Sequence, residues 1–152
     1  MRNIFSDDDA AAILARVDRL GPSLQRQWGV MNAHQAVCHL NDSMKSILGD
    51  RPQPIKPPNL NKRIIKFVGF TLPFPWPKGK VKTSRMNDQL QDGTKPGVFS
   101  DDVAELRRLV DRVRETKGRG LPVHHTWGEM SPGVLGRYVY RHMDHHLRQF
   151  GQ

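Results

Sequence analysis

The chain has 152 residues, 37% of them apolar by type and 13 of them glycine, and carries a formal net charge of +9. That length suits one domain with a core that needs no metal or disulfide staple, and the composition excludes global disorder. A single cysteine, Cys38, excludes an internal disulfide, no apolar run approaches the ~18 residues of a membrane span, and the start MRNIFSDDD turns acidic before any signal-like apolar stretch. The expectation is a cytoplasmic protein of one domain, residues 1–152.

In chain order, the first helical pattern opens at Ser6-Asp7-Asp8-Asp9, an N-cap followed by acids that suit the helix dipole. It continues through Ile13, Leu14, Val17 and Leu20 until Gly21-Pro22 stops it. The second begins at Asn32 with Gln35 at capping-box spacing, and repeats Ala36, Val37, Leu40, Met44, Ile47 and Leu48 at i, i+3, i+4 intervals up to Gly49.

A different kind of segment follows, from about 50 to 99. Between Arg51 and Arg85 lie nine basic residues and no acidic one, so the whole excess of +9 belongs to this stretch, which also holds seven of the 11 prolines. A link of about fifty residues far exceeds the ~2–8 of ordinary helix-to-helix loops, and its aromatics argue for structure. Asn61–Phe70 reads as a short helix with Ile64, Ile65, Phe67 and Val68 apolar and Lys62, Arg63 and Lys66 basic. As a lid, the segment would offer Lys78, Lys80 and Lys82 to an anionic substrate; as a cover, its lysines are simply solvated. A basic amphipathic surface for anionic lipid or nucleic acid is the third reading, with nucleic acid not the expected partner.

The third helical pattern follows Ser100-Asp101-Asp102 and shows Val103, Leu106, Leu109, Val110 and Val113 before Gly118. The fourth starts at Ser131-Pro132 and runs to about Phe150. No strand pattern is found. The fold expected is all-α, a four-helix bundle with a long crossover connection between its second and third helices. Trp28-Gly29-Val30-Met31-Asn32 and Trp127-Gly128-Glu129-Met130-Ser131 form a faint repeat, each preceding a helix, and read as a shared helix-entry device.

Three of the seven histidines fall in Arg141-His142-Met143-Asp144-His145-His146. At ~100° per residue, His142, His146 and Gln149 share the apolar arc of Leu135, Tyr138 and Val139, while Arg137, Asp144 and Arg148 take the other face. Polar groups on a core stripe must be hydrogen-bonded, metal-bound or lining a cavity, because a bare buried one costs on the order of 1–3 kcal/mol. Histidines at i and i+4 present two nitrogens to one point, and His39 on the second helix lies at a compatible depth to supply a third. A hydrogen-bonded core cluster is the competing reading. His145 sits on the flank as a pocket or surface residue, His124 and His125 read as loop or rim, His34 as surface, and Cys38 as a small buried hydrophobe.

At Trp28, His39 and His142-x-x-x-His146-x-x-Gln149 the sequence resembles the DinB/YfiT-like superfamily of metal-dependent four-helix bundles. Its run His124-x-x-Trp127-Gly128-x-Met130-Ser131 and its ending Tyr140 to Gly151 are similar to a branch described as a domain of unknown function, except that His125 stands where that branch has proline. The resemblance implies an up-down-down-up bundle and a divalent ion, zinc or nickel before iron, on His39, His142 and His146. It also implies relatives that are transferases and isomerases dependent on low-molecular-weight thiols.

Three imidazoles leave a coordination position open, the mark of a catalytic ion. No carboxylate lies on the histidine stripe to serve as a hydrolytic base, since Asp144 points away toward Arg148, so thiol transfer ranks above hydrolysis. The expected partners are a small-molecule substrate, with a low-molecular-weight thiol foremost; a homodimer is compatible with the sequence. Tyr138, His145 and Gln149 are the expected pocket or supporting residues. The opposing reading is a non-catalytic protein that binds anionic partners through its basic segment.

Overall fold

The computed structural model describes residues 1–55, 59–72, 74–79, 84–119 and 123–152. These hold five α-helices: α1 (Asp7–Val17), α2 (Ala33–Leu48), α3 (Leu60–Thr71), α4 (Phe99–Glu115) and α5 (Pro132–Leu147). Short 3₁₀ turns follow at Arg85–Asn87 and Arg148–Phe150, and no strand occurs among the described residues beyond one isolated bridge between His124 and Gly128. The described residues are all-helical in their regular structure, and the extra helix, α3, is the one expected inside the basic segment.

Local sequence accounts for most boundaries. Asn32 accepts from the Gln35 amide at 2.8 Å while the Gln35 side chain accepts from Asn32 N at 2.9 Å, completing the capping box, and Gly49 closes α2 at φ 85°. α3 is capped by Asn59, whose side chain accepts from Lys62 N. Elsewhere the boundaries differ from expectation. α1 ends at Val17, and the chain tightens into a turn in which Leu20 N bonds Val17 O, keeping Leu20 in the core outside the helix. Ser6 and Ser131 have extended cap backbones without a side-chain bond. α4 starts at Phe99 because Asp102 turns its carboxylate back onto Gly97 N at 3.1 Å, leaving Val98 as the cap residue. The last turn before Phe150 is 3₁₀.

Aliphatic side chains from α1, α2, α4 and α5 form one core, with Ile13, Val37, Leu40, Met44, Leu106, Leu109, Val110, Val139 and Met143 fully buried. Each such side chain stabilises by roughly 1.5–3 kcal/mol. Polar contacts order the helices. Along α2 and α4, Asn41 meets the Asp102 carbonyl, Lys45 meets Glu105, and Asp50 beyond α2 meets Arg112. Along α1 and α5, Ile4 N bonds Gly136 O and Arg16 pairs with Asp144 at 2.7 Å. α1 and α4 are tied by Asp7–Arg114 and Asp18–Arg107. Gly136 is a close-approach position: a Cβ there would lie 2.6 Å from Phe5 Cδ2 and would meet the Asn3 side chain.

The described part of the basic segment is anchored rather than loose. Asp42, wholly buried on α2, accepts from Gln89 Nε2 at 2.8 Å, Thr94 N at 2.8 Å and Thr94 Oγ1 at 2.7 Å. Three bonds to one buried carboxylate pull residues 85–94 onto α2 beside His39.

Candidate metal centre

α2 and α5 bring three buried histidines together. His39 Nε2 lies 3.1 Å from His142 Nε2, and His146 Nε2 lies 3.2 Å from the same atom. An ion ~2.0–2.1 Å from two nitrogens at a tetrahedral angle would separate them by about 3.3 Å. The three residues are therefore close enough to hold a metal ion.

Each ring's far nitrogen is engaged. His39 Nδ1 is 2.6 Å from the Asn87 carbonyl, His146 Nδ1 is 2.8 Å from Gln149 Oε1, and His142 Nδ1 is 3.2 Å from Ser43 Oγ. The two oxygens facing His39 and His146 only accept, so those rings carry their proton on Nδ1 and present a bare lone pair at Nε2. His142 has one proton to give, and one proton bridges only one of the two Nε2 contacts; the other would set lone pair against lone pair. Burial holds all three rings below the ordinary imidazole pKa, His142 and His146 well below it with the neighbouring imidazoles adding to the effect, so extra protons are not the remedy. Three convergent lone pairs, each backed by a hydrogen bond on the opposite nitrogen, are the donor set a divalent cation takes.

Compared with family models, curated proteins and solved structures, the chain matches none.

The three histidines line a cavity of about 400 Å³ whose wall also includes Trp28, Trp76, Trp127, Tyr138 and His145. Tyr138 stacks on His142 with centroids 5.6 Å apart and planes 22° apart, and burial pushes its hydroxyl up to about 12, so it stays protonated. His145 sits edge-on to Trp28 at 4.8 Å and lines both this cavity and a larger cleft of about 820 Å³. Gln149 reaches His146 because Gly29 has no side chain: a Cβ at Gly29, whose φ is +84°, would lie 2.5 Å from Gln149 Nε2. The Trp-Gly repeat gains a concrete role here, since Trp28 and Trp127 both face the histidine cavity and Gly29 and Gly128 both hold positive φ.

Lys78 is exposed, with its ammonium 6.0 Å from the Trp28 ring, and lines the larger cleft with Arg2, Arg141 and Arg148. Lys80 and Lys82 lie outside the described residues. Three expectations need correction, for Asp144, His34 and His124. Asp144 pairs chiefly with Arg16 at 2.7 Å and only distantly with Arg148 at 3.9 Å, because α1 packs beside α5 and offers the closer cation. His34 is not a plain surface residue: it bonds Asp102 at 2.7 Å and packs edge-on against Phe99. Cys38 is buried, and its thiol, 3.5 Å from Asp102, is pushed up to about 12 by burial and then by that carboxylate. It remains a thiol at neutral pH.

His124 is buried rather than at a rim. Its Nδ1 accepts from the amides of Thr126 and Trp127, so its proton sits on Nε2, and burial pushes its pKa down to about 3. Sequence reasoning missed three contributors: Ser43, the Asn87 carbonyl and Asp88, which lines the histidine cavity. Ser43 follows His39 by one helical turn and was findable from that spacing. Asn87 closes a three-residue 3₁₀ turn and Asp88 follows it, too short a local pattern for periodicity to mark either.

Proposed function

We propose that this chain is a metal-dependent enzyme of the DinB/YfiT-like superfamily, a thiol-dependent transferase built on an up-down-down-up four-helix bundle. The order of contacts supports the topology: residue numbers rise together along α2 and α4 and along α1 and α5, and run oppositely between α1 and α4. The observation that carries the functional reading is the convergence of three Nε2 lone pairs on the wall of a cavity large enough for a small molecule. His39, His142 and His146 would hold the ion, zinc or nickel ahead of iron, as imidazole suits all three. When bound, such an ion supplies a lowered pKa to a coordinated thiol or water and polarises a carbonyl.

The remaining work falls to the chain. Ser43, the Asn87 carbonyl and Gln149 fix the three rings, Trp28 and Trp127 wall off water, and Tyr138 keeps a hydroxyl proton beside His142. The cationic cleft shared through Trp28, Trp76 and His145 would receive the anionic end of the substrate, with Lys78, Arg2 and Arg148 as its partners. Lys80 and Lys82 are proposed for the same role from sequence alone.

Hydrolysis is the second reading, and Asp88 favours it. Asp88 lines the cavity, and its carboxylate, which accepts from Leu90 N at 2.9 Å and Gln91 Nε2 at 2.7 Å, would be the base that the histidine stripe itself lacks. Assays of zinc- or nickel-loaded protein separate the two. Thiol transfer should consume a small thiol together with an electrophile and survive Asp88→Asn within about tenfold, whereas hydrolysis of an ester should fall by roughly 10²–10⁴ in that variant. Loss of thiol turnover in Asp88→Asn alongside ester hydrolysis would overturn the first reading.

A further inference from the structure

α3 is turned inside out. At ~100° per residue, Leu60, Ile64, Phe67 and Val68 share one side of the helix and Lys62, Lys66, Gly69 and Phe70 the other. A soluble amphipathic helix buries the first set, yet here Leu60 is 71% and Phe67 62% exposed while Phe70 is 2% exposed. The orientation is locked. Lys66 Nζ donates to the carbonyls of Trp127 and Glu129, Arg137 donates to the Phe70 carbonyl at 2.8 Å, and Trp76 donates to the Gly69 carbonyl at 2.9 Å. The Phe70 ring is packed against Trp127, Tyr138 and Trp76. The apolar side therefore cannot roll inward without breaking all of these.

The stripe continues past the helix. A groove of about 650 Å³ runs beside Phe67, and Ile55 and Val123 on its walls are exposed. Among the described residues lining the groove, one is acidic, Glu129, against two cations, Arg63 and Lys66. α3 itself has three cations and no acid, within a segment whose nine cations face no acid in sequence.

From this we propose that α3 docks the protein on an anionic lipid surface, its apolar stripe seated among the acyl-chain ends of the headgroup layer and the exposed Arg63, next to Phe67 on the helix, on lipid phosphates. Charge decides among occupants. A second copy would set one cationic segment against another, and a nucleic acid offers phosphates to a stripe of Leu, Ile, Phe and Val that has no donors. A basic helix with an exposed apolar face has complementarity to anionic lipid on both counts. No helix among the described residues is long and apolar enough to cross a membrane, so the contact is a surface one.

Co-sedimentation of the full chain with vesicles tests this, using phosphatidylcholine alone and equal parts phosphatidylcholine and phosphatidylglycerol. Binding is expected only to the anionic vesicles, weakening as salt rises, and falling by about tenfold or more in Ile64→Glu and Phe67→Glu, both of which alter exposed positions and should leave the helical circular dichroism unchanged. A tryptophan introduced by Phe67→Trp should shift its emission to the blue on adding those vesicles. No binding to the anionic vesicles, or binding that both glutamate variants retain, would overturn the proposal. So would light scattering that shows a dimer dissolved by Phe67→Glu, which would make the occupant a second copy. Retention of an oligonucleotide without vesicle binding would overturn it in favour of nucleic acid.

Discussion

Each ring of the triad is fixed by a different kind of partner, and the partners differ in what mutation can do to them. Asn87 holds His39 through its backbone carbonyl, which no substitution at 87 removes, whereas Gln149 holds His146 through its side chain. Gln149→Ala should therefore leave the three nitrogens in place and weaken metal affinity by about 10–100-fold, the usual effect of losing a supporting hydrogen bond, as read by competition with a chromophoric chelator. Gly29→Ala should act on the same bond from the other side. Its new Cβ would collide with Gln149 Nε2 at a backbone φ of +84°, so metal affinity and stability should fall together, while an exposed change such as Val30→Ala should move neither. Unchanged affinity in both variants would show that His146 needs no support. The histidine pair on α5 is legible in sequence because its four-residue spacing is local. His39 is legible only by comparing depths along two helices, and the Asn87 carbonyl not at all, since it arrives from a segment without periodicity.

At the scale of elements, the segment between α2 and α4 is where sequence reading reached least far. The helix at 60–71 was marked by its spacing of Ile64, Ile65, Phe67 and Val68, but which side faces the protein was not, because the usual rule that apolar goes inward fails there. Tertiary contacts made by Lys66 and Phe70 decide it. The same segment's attachment to α2 hangs on Asp42, a charge placed among the apolar repeats of the second helix. Asp42→Ala would strand Thr94 N and the Gln89 amide without their acceptor, at on the order of 1–3 kcal/mol each. Denaturant unfolding should show a loss of about 3 kcal/mol or more, and metal affinity should drop as the Asn87 carbonyl drifts from His39. A loss under about 1 kcal/mol would mean that the segment is held by other contacts. Where α1's leading residues cross α5, Gly136→Ala has no room and should cost ~1–3 kcal/mol.

For the molecule as a whole, buried neutral imidazoles set how stability answers to pH. Burial pushes His124 down to about 3 and His145 down to about 4, and the triad is lowered as well. Below the ordinary value of 6.5 the unfolded chain binds protons that the folded chain refuses. Stability of chelator-treated protein is thus full above about pH 6.5 and declines as pH falls toward the folded values, so urea midpoints should drop between about pH 7 and pH 5; a flat profile would contradict the burial of these rings. A bound ion should add stability by mass action, raising the thermal midpoint as free metal exceeds its dissociation constant. The most direct measurement is metal content by mass spectrometry on protein saturated with zinc or nickel and then desalted. About one ion per chain is expected, falling to background in His142→Ala while the helical circular dichroism persists. A wild-type chain that emerges metal-free, or a His142→Ala variant that keeps its ion, would contradict a centre formed by His39, His142 and His146.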